Sequence, residues 1–182
     1  MISVYIHIPF CTKRCIYCGF YSTTQTELMD RYTAAVCKEL TERKEYIDNH
    51  IKTIYFGGGT PSLLSSGQIE RIFQTIMENY RTDGLQEVTF ECNPDDITCD
   101  FLQSIARTPI NRISMGIQSF NDDILGFIRR RHNSEQAVNA VKLCHEAGFN
   151  NISIDLIYGI PGQTVNIFRE DIEKAIALNV SH

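Results

Sequence analysis

The chain has 182 residues, 43% hydrophobic and 21% charged, a balance that suits one folded domain with a sizeable core and excludes a disordered chain. Its 17 basic and 22 acidic residues leave a formal charge of −5, which disfavours a nucleic-acid surface. No run of about 18 apolar residues is present, so no membrane span is expected.

The opening MISVYIHIPF lacks the basic region, apolar core and cleavage site of a secretion leader. Together with an odd count of seven cysteines, this predicts a cytoplasmic protein with reduced thiols. Ser3 to Ile8 alternates β-branched and aromatic residues and predicts a strand that runs into Pro9, Phe10 and the segment CTKRCIYC, Cys11 to Cys18. Three thiols on one short loop, Cys11, Cys15 and Cys18, can point at one metal centre. The residues alone leave three readings open. They can hold an iron–sulfur cube with one iron free of protein ligands, zinc completed by His7 or a later cysteine, or no metal.

Leu28, Tyr32, Val36, Leu40 and Ile47 recur near helical spacing and predict one long amphipathic helix, with Cys37 as a small buried residue beside the stripe. Thr53 to Phe56 predicts a second strand, which leaves through Gly57, Gly58, Gly59, Thr60 and Pro61. In isolation that segment is a turn needing positive φ; its functional reading is a backbone that a ligand can approach closely. Ser65 and Gln68 form a capping box ahead of a helix whose apolar face is Ile69, Ile72, Phe73, Ile76, Met77 and Tyr80. Glu87 to Cys92 is the third strand, followed by Asn93-Pro94 and a short helix from Thr98 to Arg107.

Arg112 to Ile117 is the fourth strand, leading to Gln118 and a helical stretch that resumes at Ser134 and ends near Gly148. Arg129 to His132 reads as a solvated helix end, the usual role of a short charge run. Asn151 to Ile157 is the fifth strand, and Thr164 caps a last helix carrying Ile167, Phe168, Ile172, Ala175 and Ile176. Five strands alternating with helices predict an α/β fold with a parallel sheet and right-handed crossovers. Strand C-termini in such folds share one edge, where sites are built. Here the exits carry the cysteines, GGGTP, Glu91, Gln118 and Asp155. Asp155, set among apolar residues in ISIDLIYG, is expected to face a polar cavity, since an unpaired buried carboxylate costs several kcal/mol, on the order of 5. By that reasoning it is a stronger pointer than Glu91.

CTKRCIYC, with its CxxxCxxC spacing and Tyr17 before the third cysteine, resembles the radical S-adenosylmethionine (SAM) superfamily. YIHIPFC, FGGGTP, SMGIQSF and IDLIYGIPGQT narrow the resemblance to the group of oxygen-independent coproporphyrinogen III oxidases and haem chaperones, over essentially the whole chain. The resemblance implies a [4Fe-4S] cluster on Cys11, Cys15 and Cys18 whose open iron chelates SAM. It implies that one electron from the cluster cleaves the sulfonium to yield a 5′-deoxyadenosyl radical. Tyr5 and Tyr17 resemble residues packing near cluster and SAM. Gly58, Gly59 and Thr60 resemble the segment receiving SAM's amino group, and Glu91, Gln118, Arg130 and Asp155 the remaining SAM contacts.

The same resemblance implies a single core domain, residues 1–182, built as a partial (β/α)6-type barrel of five units, with the sixth strand due to begin at Asn179. The family's C-terminal region, to which haem binding is assigned, is absent from this sequence. Phe20 stands where the oxidases carry a further cysteine, which favours the haem-chaperone branch. An oxidative decarboxylase of coproporphyrinogen III is the alternative, and a cluster-binding fragment without activity is a third. Expected partners are SAM, haem or porphyrinogen, and an electron donor such as a flavodoxin or ferredoxin.

Overall fold

The computed structural model describes residues 2–47 and 49–182. Five parallel strands, β1 (Ile2–Ile8), β2 (Ile51–Gly58), β3 (Glu87–Cys92), β4 (Arg112–Gln118) and β5 (Ile152–Leu156), lie side by side in chain order. Each new strand adds to the same edge without a reversal, so the sheet forms part of a barrel wall rather than a doubly wound sheet. The crossovers contain helices α1 (Met29–Glu42), α2 (Ser66–Asn79), α3 (Cys99–Ile105), α4 (Asp122–Phe127) and α5 (Ser134–Glu146), and α6 (Val165–Ala177) follows β5.

Strand alternation sets the two faces of this wall. Ile54, Phe56, Val88, Phe90, Ile113, Met115 and Ile152 are all at most 1% exposed beneath the helices, and Phe56 packs between Phe73 and Phe90 at 5.2 and 5.3 Å. The opposite face is polar. Tyr5 pairs with Tyr55, Tyr55 with Thr89 and Thr89 with Arg112 in one row, and Glu91, Ser114 and Ser153 form the row above it. A polar concave face turned away from the core is the sequence-encoded basis for a site.

The long first helix ends earlier than its periodicity suggests. α1 stops at Glu42, Lys44–Tyr46 forms a separate 3₁₀ turn, and Ile47 lies outside any helix. The reason is geometric: 14 residues of helix span about 21 Å, and β1, which α1 runs back along, spans about 23 Å. The stretch after β4 is likewise two helices, α4 and α5, each with an asparagine cap, Asn121 and Asn133. The capping box at Ser65 and Gln68 forms as expected. On α6, Ile167 and Ala175 pack against the core as their spacing predicts, but Ile172 and Ile176 are 40% and 74% exposed while Asp171 is 1% exposed, so the docked face is rotated away from those two residues.

Beyond α6 the backbone begins to pair with β5. His182 donates to the Ile152 carbonyl at 3.2 Å, and its own carbonyl accepts from the Ile154 N–H at 2.9 Å. This is the hydrogen-bond pattern of a parallel neighbour opposite Ser153. Among the described residues, no helix is long and apolar enough to cross a membrane.

Candidate functional site: a three-thiol loop beside a polar recess

β1 delivers Pro9 and Phe10 to the cysteine loop, and the base of the loop is tied shut. The Cys11 N–H donates to the Thr23 carbonyl at 2.9 Å, and the Thr23 N–H donates to the Pro9 carbonyl at 2.7 Å. Phe10, 2% exposed, meets Tyr32 edge-on at 5.3 Å and anchors the loop to α1. The glycine exit of β2 runs directly beneath. The Gly59 N–H donates to the Ile8 carbonyl at 2.8 Å. A Cβ on Gly59 would stand 2.7 Å from the Phe10 carbonyl oxygen and 3.0 Å from the Cys11 sulfur, and Gly58 has φ +119°. The turn reading of GGGTP holds at Gly58, which has positive φ, and Gly59 needs to be small because the chain's own thiol loop rests on it.

Cys11, Cys15 and Cys18 are free, partly exposed thiols lining one recess with Thr60, Asn93 and Arg130. The Thr60 hydroxyl donates to the Cys11 sulfur and Arg130 Nη1 to the Cys15 sulfur, each at 3.5 Å. Such donors complement the negative charge of a thiolate-bound group. Among the described residues, no three His, Cys, Asp or Glu side chains converge on one ion. His7 is held by Tyr5 Oη at Nδ1 (2.9 Å) and by the Tyr21 carbonyl at Nε2 (3.1 Å), so it is not presented as a fourth zinc ligand. Three soft thiol donors lining one recess are the ligand chemistry of an iron–sulfur cluster.

A larger recess adjoins the thiols and shares Cys18, Gly59, Thr60, Asn93 and Arg130 with them. Including its open mouth it encloses about 570 Å³, within the range of small-molecule sites. Gly58, Glu91, Gln118 and Asp155 line it. Glu91 accepts from Tyr55 Oη at 2.7 Å and from the Gly58 N–H at 3.0 Å. Burial pushes the Glu91 carboxyl above its ordinary range, with the two hydrogen bonds acting against that shift. Asp155 is exposed at the wall of the recess rather than buried, and partial desolvation raises its carboxyl, with His182 and Arg112 opposing. Among the described residues, however, Asp155 has no side-chain hydrogen bond, so Glu91 is the more constrained of the two carboxylates. The register of β3 decides this by bringing Glu91 up against the glycine exit.

Arg130 joins the two recesses. Its guanidinium donates to Asn93 Oδ1 at 2.6 Å and to the Gly116 carbonyl, reaches Tyr17 Oη at 3.4 Å, and leaves Nε buried with no partner in the protein. An orphaned charged donor at the wall of a recess fits an anionic or carbonyl-bearing ligand. Tyr17 and Tyr5 are 41% and 57% exposed, and Phe20, 68% exposed, lines the larger recess.

The run Arg129 to His132 is therefore not a solvated helix end. His132 is 3% exposed and lies 3.0 Å from the Ile117 carbonyl through Nε2, and burial lowers its pKa to about 4. Arg131 binds Asp96 through two contacts at 2.8 and 2.9 Å and Asp95 at 3.0 Å, and donates to the Thr12 hydroxyl at 2.5 Å. A charge run reads as solvated when its partners lie far away in sequence. Here the partners follow β3 and β1, tens of residues upstream.

Sequence reasoning also passed over Asn93, seen only as part of a turn, and Tyr55, whose placement opposite Phe56 in the strand alternation was the available signal. Asn93 Nδ2 donates to Thr60 Oγ1 at 3.2 Å and completes a chain from Arg130 to Cys11.

Because Arg131 clamps Thr12 inside the thiol loop, Arg131→Met is expected to destabilise the metal-free chain by about 2 kcal/mol. This lies below the roughly 3–5 kcal/mol of a fully buried pair, since these side chains keep some solvent contact. Urea unfolding measures the change; an unaltered midpoint would show the clamp to be dispensable.

The radical SAM superfamily matches residues 5–175. Haem chaperone HemW of Lactococcus lactis is 40% identical over 99% of this chain, which covers 47% of that protein. HemW of Bacillus subtilis is 36% identical with 49% of its length covered. The oxygen-independent coproporphyrinogen III oxidase of Escherichia coli is 34% identical over 98% of this chain and 40% of its own length. The solved structure of the Escherichia coli oxidase HemN, described as a radical SAM enzyme, superposes with a TM-score of 0.90 at 34% identity, covering 98% of this chain and 42% of that one. The chain thus spans a little under half the length of these relatives.

Proposed function

This chain belongs to the radical SAM superfamily, and from that premise we propose that it binds a [4Fe-4S] cluster through Cys11, Cys15 and Cys18, holds SAM in the adjoining recess, and serves haem metabolism as a haem chaperone. The observation that carries the reading is the shared wall of the two recesses. Arg130 touches the thiol side through Cys15 and Tyr17, and the ligand side through Asn93 and Gly116. When bound, the cluster supplies the electron that breaks the sulfonium bond of SAM.

The chain's own residues bind and orient. Glu91 and Asp155 are acceptors for the ammonium and ribose hydroxyls of SAM, and their partly desolvated carboxylates gain from a nearby cation. Arg130 and Gln118 donate to its carboxylate, and Gly58, Gly59 and Thr60 allow the amino group close to the backbone. Tyr17 flanks the cluster side through Arg130, Tyr5 lies outside both recesses against Tyr55 and His7, and Phe20 at the rim helps exclude water. Haem, porphyrinogen and a flavodoxin- or ferredoxin-type donor are the proposed partners.

Phe20 favours haem transfer over porphyrinogen oxidation, because the exposed ring occupies the place of the oxidases' extra cysteine. The second reading is a coproporphyrinogen III oxidase, supported by the fold-wide superposition on HemN. A cluster-binding fragment without activity is the third. After anaerobic reconstitution and reduction, the expected result is SAM binding with slow release of 5′-deoxyadenosine and no protoporphyrinogen from coproporphyrinogen, with a haem absorbance shift on titration only for a chain extended through the family's C-terminal region. Protoporphyrinogen formation would move the assignment to the oxidase, and neither turnover nor haem binding would leave the inert fragment.

A further inference from the structure

Gln118 sits at the exit of β4 with φ +75°, a conformation that a long side chain rarely adopts unaided. The ladder to β5 is irregular at this point: Gly116 pairs with Asp155 and Gln118 with Leu156, so two steps of β4 oppose one of β5. An irregularity of this kind re-aims a side chain, and Gln118, 9% exposed, lines the larger recess. Something must hold this turn against relaxation.

That group is Asp171, on the buried face of α6. Its carboxylate accepts from the Phe120 N–H at 2.6 Å and from the Ser119 hydroxyl at 2.8 Å, the two residues that follow Gln118. The Ser119 oxygen in turn accepts from the Asn121 N–H at 3.1 Å. Gln163 Nε2 reaches the same carboxylate at 3.5 Å and the Ile157 carbonyl at 3.2 Å, while Gln163 Oε1 accepts from the Gly159 N–H at 2.9 Å. The loops after β4 and β5 are also joined directly, Ile157 N–H to Gln118 carbonyl at 2.9 Å. A carboxylate that is 1% exposed and surrounded by neutral donors is not a surface ion pair, and removing its acceptor leaves those donors unsatisfied inside the protein.

We infer that Asp171 is a positioning residue of the recess: it locks the Gln118 turn and the loop after β5 in place and, through Gln118, sets the affinity for SAM. The affinity clause rests on the proposed function; the locking clause rests on the hydrogen bonds alone. The test uses the full chain with its cluster reconstituted, comparing Asp171→Asn, Ser119→Ala and Gln118→Ala by amide hydrogen exchange and by equilibrium dialysis of SAM.

Asp171→Asn is expected to speed exchange at residues 118–121 and 157–163 while the loop 11–18 and the iron content stay as in the wild type. It is expected to weaken SAM about tenfold, as loss of one well-placed hydrogen bond does. In the Gln118→Ala background the same change is expected to weaken SAM no further. Unaltered exchange in the two segments overturns the lock, and equal weakening in both backgrounds overturns action through Gln118. Where Asp171→Asn does not fold, Ser119→Ala, which removes one donor to Asp171 and the acceptor of the Asn121 N–H, reads the same segments with the same criteria. Failure of the wild-type chain to bind SAM overturns the reading of the recess and the affinity clause with it, while the exchange pattern still decides the lock.

Discussion

Cys15→Ala is expected to abolish cluster assembly outright. The wild-type chain is expected to take up about four irons on anaerobic reconstitution and Cys15→Ala close to none, because two thiolates leave a cube two ligands short. Cys15 is the middle thiol of the loop and a proposed ligand, and its sulfur is the one that Arg130 Nη1 approaches at 3.5 Å while the Arg129 carbonyl lies at 4.0 Å. Removing the sulfur therefore takes away both a ligand and the contact that orients the loop against the turn after α4. The metal-free proteins are expected to unfold at nearly the same urea concentration, since Cys15 is partly exposed and outside the core. Iron and sulfide analysis makes the measurement. Stoichiometric zinc with no iron in the wild type would instead support a single-ion site and sink the cluster.

Gly59→Ala is expected to damage the same site from below. The new methyl would meet the Phe10 carbonyl oxygen at 2.7 Å, the Pro9 carbonyl carbon at 2.9 Å and the Cys11 sulfur at 3.0 Å. Two of these obstacles are backbone atoms in a loop base closed by the pairing of Pro9 and Cys11 with Thr23, so neither can swing aside as a side chain would. Overpacking against such a fixed neighbour costs about 3 kcal/mol, and relief requires Cys11 to move off its place beside Thr60. The expected result is a lower urea midpoint for the metal-free chain together with a fall in iron bound per chain. Gly67→Ala serves as control, because a Cβ there meets nothing within 4 Å and the helical position changes stability by no more than about 1 kcal/mol. Equal midpoints for Gly59→Ala and Gly67→Ala would show that the glycine is not required by the thiol loop.

Much of this protein is legible without coordinates, for local reasons. Strands β1 to β5 announce themselves because residues such as Ile54 and Phe56 alternate with Thr53 and Tyr55, and alternation is a property of each strand alone. The Ser65–Gln68 capping box closes within one helical turn, so its four residues suffice to define it. CxxxCxxC is equally local: three thiols within eight residues share a recess whatever the rest of the chain does. The helix limits were less legible. Ile47 fits the stripe of α1 by spacing, but the helix length is matched to the strand beside it, a fact that spacing does not contain.

The division falls where contacts become distant in sequence. Composition, strand order, the thiol loop and the resemblance that places the glycine segment beside it follow from residues near one another, and so the sequence by itself determined the α/β class and the candidate ligands. Three things were decided only by the tertiary structure. Arg129 to His132 turned from a solvated run into a buried histidine, a bridge between two recesses and a clamp on Thr12, because its partners sit after β1, after β3 and on β4. Glu91 rather than Asp155 proved the more tightly held carboxylate, because β-sheet register brings Tyr55 and Gly58 against it. Asp171 reads on the helix as one acid among exposed neighbours, and only the docking of α6 against the end of β4 makes it a buried acceptor for Ser119 and Phe120. A side chain's type sets which bonds it can form, but its burial and partners depend on segments some 50 residues away, whose meeting is a property of the whole fold.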